Sequence, residues 1–318
     1  MTASAHFPTA DALRAVTLRD VTLRDGLQLT GKLLSTERKI ALARELLRIG
    51  VPQLEIGSLA RPDLVPPLAD TLDVVAALDE EERHRCWVWV ATPRHVERAL
   101  AAGARNLQYC LSVSDAHNRA NVGRDTMASL EAIPRAVEMA DAAGGRVQLC
   151  LATAFTCPFD GPVEPDRVLE IVTSPLAQGT SDVVVCDTLG QASPAEVGAL
   201  VSDVRAAAQG RGLVFHGHDT WGQGVANTLS AIAAGADTVD ATLRGLGGCP
   251  FAPGASGNTA TEDLLFALRP DWFVPSALER LIDLGENLLS ELGEPNRSRA
   301  VQGARGGAMA FPWSVARS

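Results

Sequence analysis

Two histidines stand two residues apart in the run Leu213-Val214-Phe215-His216-Gly217-His218-Asp219-Thr220. Alternate residues of a strand share a face, so both imidazoles point the same way and converge on a small volume. A hydrogen-bonded core pair and a pair of metal ligands both satisfy that spacing. Three carboxylates occupy comparable places, where apolar runs give out. Asp25 follows Arg24 in Thr22-Leu23-Arg24-Asp25-Gly26-Leu27-Gln28, Glu55 lies in Leu54-Glu55-Ile56-Gly57-Ser58, and Asp187 follows Val185-Cys186. A carboxylate in such a run must be paired or coordinated, because burying it alone neutralises it or costs several kcal/mol. The segment 245–258, GLGGCPFAPGASGN, adds one thiol, Cys249, and one amide oxygen, that of Asn258. It lacks the Gly-Lys-Ser/Thr ending of a phosphate-binding loop, and its glycines suit a mobile lid. Asp25, His216, His218 and Asn258 together offer two oxygens and two nitrogens. That mixture suits Mg²⁺ or Mn²⁺ with positions left for substrate oxygens.

These side chains need a scaffold that brings strand ends together. Eight strand-like runs are legible, at 16–23, 53–56, 86–91, 106–113, 147–152, 182–186, 213–218 and 238–243. Helix-patterned segments at 35–49, 64–78, 95–102, 127–142, 166–178, 194–209 and 226–234 separate them, and another follows at 259–268. Such alternation demands crossover connections and parallel pairing. Eight units predict an α/β fold, a closed (β/α)₈ barrel, with chemistry at the carboxyl ends of the strands. A doubly wound open sheet is the alternative, but no GxGxxG follows the first run. Ser35 and Ser193-Pro194 read as helix starts, and Gly50, Gly103, Gly144 and Gly235 as helix ends. The expected organisation is an N-terminal arm at 1–14 and a catalytic barrel at 15–270. A C-terminal helical extension and tail at 271–318 complete the same domain.

Composition narrows the function classes. Of 318 residues 46% are hydrophobic and 21% charged, enough apolar mass for a full core. Lys and Arg total 28 against 38 Asp and Glu, a net charge of −10 with no basic run, which excludes a nucleic-acid binder. No apolar stretch reaches the roughly 18–20 residues needed to span a bilayer, and no signal-peptide pattern opens the chain. Six cysteines at 86, 110, 150, 157, 186 and 249 form no CxxC. They predict reduced thiols in a cytoplasmic protein acting on a small molecule.

The chain resembles the 3-hydroxy-3-methylglutaryl-CoA lyases, within the metal-dependent TIM-barrel lyases and Claisen-type synthases, the DRE-TIM metallolyases. Three stretches carry the resemblance: Arg24-Asp25-Gly26-Leu27-Gln28, then His216-Gly217-His218-Asp219-Thr220-Trp221-Gly222-Gln223, then 245–258 running into Thr261-Glu262-Asp263-Leu264. It spans roughly residues 16–268, and the cysteine-bearing loop is its most specific part. The resemblance implies that Asp25, His216, His218 and Asn258 are the metal ligands. It implies that Arg24 stabilises charge on the thioester oxygen and that Cys249 is a lid thiol in proton transfer. Glu55 and Asp187 match acidic positions needed for activity, and Gln28 joins Arg24 and His216 at the substrate. The implied reaction is a retro-Claisen cleavage of 3-hydroxy-3-methylglutaryl-CoA, or a close 3-hydroxyacyl-CoA, to acetyl-CoA and acetoacetate. The implied partner is an acyl-CoA, and the implied assembly a homo-oligomer, dimer or tetramer. The chain departs from the lyase pattern at Val21-Thr22-Leu23, at Leu29-Thr30 and at Arg61-Pro62-Asp63. The alternative within the group is a metal-dependent aldolase or Claisen-type synthase acting on a 2-oxo acid.

Overall fold

The computed structural model describes residues 7–248 and 257–306. β-Branched runs such as Val183-Val184-Val185 suit strands buried on both faces, and the strands here are of that kind. They are β1 (Thr17–Asp20), β2 (Gln53–Ser58), β3 (Cys86–Val90), β4 (Asn106–Ser112), β5 (Arg146–Ala152), β6 (Asp182–Asp187), β7 (Gly212–Gly217) and β8 (Thr238–Ala241). All pair in parallel, and β8 closes on β1 to complete the barrel expected from the alternation. Helices Thr36–Ile49, Pro93–Ala101, Ile133–Ala142, Pro165–Thr173, Pro194–Ala207, Gly224–Ala233 and Thr261–Leu268 connect or follow the strands. Ser193 and Glu196 form a reciprocal cap at one of these starts, with Pro194 in the first turn, where its missing N–H costs nothing. Gly50 and Gly235 take φ of 110° and 104° at helix ends, a conformation that a β-carbon would strain.

The largest departure from expectation is at the first strand. It ends at Asp20, not Leu23. The Asp20 carboxylate accepts the Thr22 N–H at 2.9 Å and the Thr261 hydroxyl at 2.7 Å. The Val21 carbonyl then accepts the N–H groups of Arg24, Asp25 and Gly26 at 3.1, 2.8 and 3.2 Å. The result is one π-helical turn, Thr22–Gly26, which swings Arg24 and Asp25 over the barrel mouth. The single helix expected at 64–78 divides into a 3₁₀ turn, Pro66–Leu68, and helix Thr71–Ala77, because two successive prolines remove backbone donors. The helix expected at 127–142 divides likewise into Thr126–Glu131 and Ile133–Ala142, with Pro134 opening the second. Four further helices lie outside the segments expected from the sequence: Ala10–Ala15, Glu80–His84, Asp115–Val122 and Arg299–Arg305. The C-terminal extension contains helix Leu278–Leu292, whose buried leucines pack into the main core. No helix among the described residues is long and apolar enough to cross a membrane.

Candidate active site

The π-turn, the end of β7 and the start of helix Thr261–Leu268 meet over one end of the barrel. Asp25 comes from the first, His216 and His218 from the second, and Asn258 from the segment before the third. One ligand atom each of Asp25, His216 and His218 lies within 4.8 Å of the others, and all three residues are buried. The two imidazole centroids are 5.2 Å apart, as the shared strand face requires. His218 and Asn258 form a β-bridge, which fixes Asn258 beside the histidine. Asp25 Oδ2 lies 3.4 Å from His218 Nε2 and accepts a hydrogen bond from Asn258 Nδ2 at 2.6 Å. Gln28 Nε2 donates to Asp25 Oδ1 at 3.1 Å.

Arg24 stands beside this cluster. Its Nε donates to Glu55 Oε2 at 2.7 Å, and its Nη1 donates to Asp25 Oδ1. Glu55 is fully buried on β2, and its other oxygen accepts from Gln108 Nε2 at 2.8 Å. Burial pushes the Glu55 carboxyl up, against the pull of Arg24 and Arg19. Burial pushes Asp25 up too, but Arg24 and His218 outweigh it and hold the carboxyl far below the usual range. Asp25 is therefore an anion at neutral pH, as a ligand must be.

Asp187 is buried at the end of β6, but its oxygens are already engaged. They accept the N–H groups of Gln191 and Ala192, each at 3.1 Å, and so shape the loop beside His218. Burial nonetheless raises its pKa. The structure thus brings Asp25, His216, His218, Asn258, Arg24, Gln28 and Glu55 together, with Asp187 as a loop-forming neighbour. Cys249 lies outside the described residues.

A second tier of polar groups was missed at the sequence level. His216 Nδ1 lies 3.0 Å from Asp240 Oδ2. Asp240 also takes two hydrogen bonds from Arg19, each at 2.8 Å, and Arg19 reaches Gln148 and Gln108, each at 2.9 Å. Gln108 closes the circuit back to Glu55 and Arg24. Asp240 and Arg19 sit inside the apolar runs 238–243 and 16–23, the signal that singled out Glu55, so the sequence did mark them.

Whether this set fits a divalent cation can be judged from what the groups lack. Asn258 Oδ1 and His218 Nδ1 are buried with no hydrogen-bond partner among the described residues. A buried carbonyl oxygen without a donor, next to an ionised carboxylate and two imidazoles, is complementary to a hard cation. The donor set fits.

Fold and site together define a (β/α)₈-barrel enzyme with a metal-type centre at the carboxyl ends of its strands. The HMGL-like family matches residues 15–285, and the chain belongs to that family. Hydroxymethylglutaryl-CoA lyase of Bacillus subtilis is 33% identical over 290 residues, covering 91% of this chain and 97% of the relative. An (R)-citramalyl-CoA lyase of Chloroflexus aurantiacus is 36% identical over 296 residues, covering 89% and 93%. Among solved structures, an HMG-CoA lyase of Acinetobacter baumannii in complex with coenzyme A and 3-methylmalate superposes with a TM-score of 0.85. It is 33% identical, with 93% of this chain and 97% of that chain covered. The protein is a carbon–carbon lyase by these relationships.

Proposed function

We propose that the protein cleaves a 3-hydroxyacyl-CoA by a divalent-metal-dependent retro-Claisen reaction. The simplest substrate is 3-hydroxy-3-methylglutaryl-CoA, giving acetyl-CoA and acetoacetate. The observation that carries this reading is the placement of Arg24, a fixed guanidinium immediately beside the convergent Asp25, His216 and His218 atoms. Cleavage of a C2–C3 bond needs an acidified hydroxyl and a cation for the departing enolate, and this site has a place for each. Asp25, His216, His218 and Asn258 would hold Mg²⁺ or Mn²⁺, which supplies the Lewis acidity that acidifies the tertiary hydroxyl. Arg24 stabilises the negative charge that grows on the thioester oxygen. It stays protonated throughout, and its bond to Glu55 removes the need to reorganise during the reaction. Glu55 acts by orienting Arg24, and Asp187 by forming the loop next to His218. Gln28 borders the substrate from the Asp25 side. A base takes up the hydroxyl proton as the C2–C3 bond breaks, and Cys249 delivers the proton that converts the enolate to the acetyl thioester.

The test is coupled detection of acetyl-CoA and acetoacetate from 3-hydroxy-3-methylglutaryl-CoA, before and after EDTA. Activity lost to EDTA and restored by Mg²⁺ or Mn²⁺ is the expected result. Full activity in metal-free buffer overturns the metal role. Condensation of acetyl-CoA with a 2-oxo acid, with no cleavage of the thioester, would assign the protein to the synthases instead.

A further inference from the structure

The barrel interior beneath the site has an unusual lining. Barrel interiors are ordinarily filled by bulky aliphatic side chains in layers. Here a separate apolar cluster inside the barrel contains Trp89, Ala91, Cys110, Cys150, Ala152 and Cys186. The same six residues line the inner part of a cleft of about 520 Å³ that also contains Arg24, Asp25, His216 and His218. Five of the six have small side chains, so the layer leaves space where a packed core would have none.

The three thiols form a row. Cys110 and Cys150 are lateral partners on β4 and β5. Cys150 Sγ lies 3.5 Å from Cys186 Sγ. Cys186 is in turn the lateral partner of His216 on β6 and β7. Cys150 pairs laterally with Val184, so the row steps diagonally toward the carboxyl end of β6, where Cys186 lies beside His216.

Charge excludes one kind of occupant. Arg24 is the cation next to this wall; Glu55 and Asp25 engage its Nε and Nη1, and its remaining donors serve the thioester oxygen. Gln108 is committed to Glu55 and Arg19. The other guanidiniums lining the cleft, Arg61 and Arg119, are exposed and sit at its outer side. A carboxylate pressed against the three thiols would exchange water for weak S–H donors, at a cost. An alkyl group there would lose water and touch polarisable sulfur and methyl groups, which is favourable.

From this lining we infer that the enzyme prefers substrates whose C3 carbon carries an alkyl chain longer than methyl, seated against Cys110, Cys150 and Cys186. The inference rests on the retro-Claisen reading. The hydroxyl and one carboxylate face the Asp25 and histidine cluster, and the thioester oxygen faces Arg24. The remaining C3 substituent is left to point across the barrel at β3 to β6. Because the wall is smooth and apolar, discrimination follows chain length and not hydrogen bonding.

The experiment compares kcat/KM for the metal-loaded protein on 3-hydroxy-3-methylglutaryl-CoA and its 3-ethyl and 3-propyl homologues. The expected result is a rise of about fourfold per added methylene. A fall from methyl to propyl overturns the inference and leaves the lyase reading intact, whereas cleavage of none of the three overturns both. Cys150→Phe should drop the propyl-to-methyl ratio below one, and Cys150→Ala should raise it above wild type. Unchanged ratios in Cys150→Ala, with a wild-type thermal melt, place the substituent elsewhere and overturn the inference even where Cys150→Phe fails to fold.

Discussion

Asp240 receives His216 Nδ1 at 3.0 Å on the same carboxylate that Arg19 grips through two 2.8 Å hydrogen bonds. Burial would raise the Asp240 pKa, but Arg19 and His216 outweigh it, so the carboxylate is ionised. The His216 imidazole loses affinity for a proton through burial and regains more from Asp240 and Asp25. With Nδ1 donating to the ionised Asp240, the ring is fixed and Nε2 is left as the nitrogen with a free lone pair. A carboxylate behind a metal-ligating histidine sets its tautomer and raises its basicity.

Asp240→Asn should therefore weaken Mn²⁺ binding by about 10–100-fold. Titration of the metal followed by electron paramagnetic resonance measures this directly. A thermal melt run alongside separates the loss from unfolding, since the variant leaves the buried Arg19 cation poorly matched. Wild-type Mn²⁺ affinity in a folded variant would remove Asp240 from the site.

Arg24→Lys retains the charge but not the planar fork that serves Glu55 and Asp25 together. The expected loss in kcat is on the order of 10²–10³-fold, the scale for one preorganised donor to a developing oxyanion. Little change in KM should accompany it. A change confined to KM would mean that Arg24 binds substrate without stabilising the transition state.

Mild alkylation should inactivate the enzyme by modifying Cys249 first. The five cysteines of the described residues are all buried, which slows their reaction. Burial raises the Cys86 thiol to about 12. Peptide mapping by mass spectrometry locates the label, and a bound substrate analogue with metal should protect it. Inactivation with the label on Cys157 or Cys186 would count against Cys249 as the proton donor.

Glu262 predicts a pH-dependent stability. It is fully buried beside Arg244: its Oε2 accepts the Arg244 backbone N–H at 2.9 Å, and its Oε1 forms an ion pair with Arg244 Nε at 3.2 Å. Burial nevertheless pushes its carboxyl from an ordinary 4.5 up to about 7. The folded state thus holds this proton more tightly than the unfolded chain. The contribution is complete below pH 4.5 and is lost as pH rises through about 7. Glu262→Gln keeps an acceptor for the Arg244 N–H and cannot ionise. Between pH 5 and 7 wild type should lose about 2 kcal/mol relative to the variant in urea unfolding. Parallel curves for the two proteins would show that Glu262 does not titrate there.

The sequence alone determined the alternation that makes a barrel, and it marked the site through local signals. Two histidines at strand spacing share a face whatever the rest of the chain does, and a carboxylate in an apolar run announces a buried partner. Asp25, Glu55, His216 and His218 were legible for those reasons, and Asp240 and Arg19 carried the same signal. What only the tertiary structure decided was which of these meet. Asp25 and Asn258 are 233 residues apart and join at 2.6 Å because β8 closes on β1. The π-turn at Thr22–Gly26 depends on Thr261, which braces Asp20 from the far end of the chain. The thiol row depends on the lateral registers that set Cys110 beside Cys150 and Cys186 beside His216. Periodicity acts along a strand, over a few residues. Register and closure act across strands, through hydrogen bonds between segments far apart in the chain, and no local pattern encodes them.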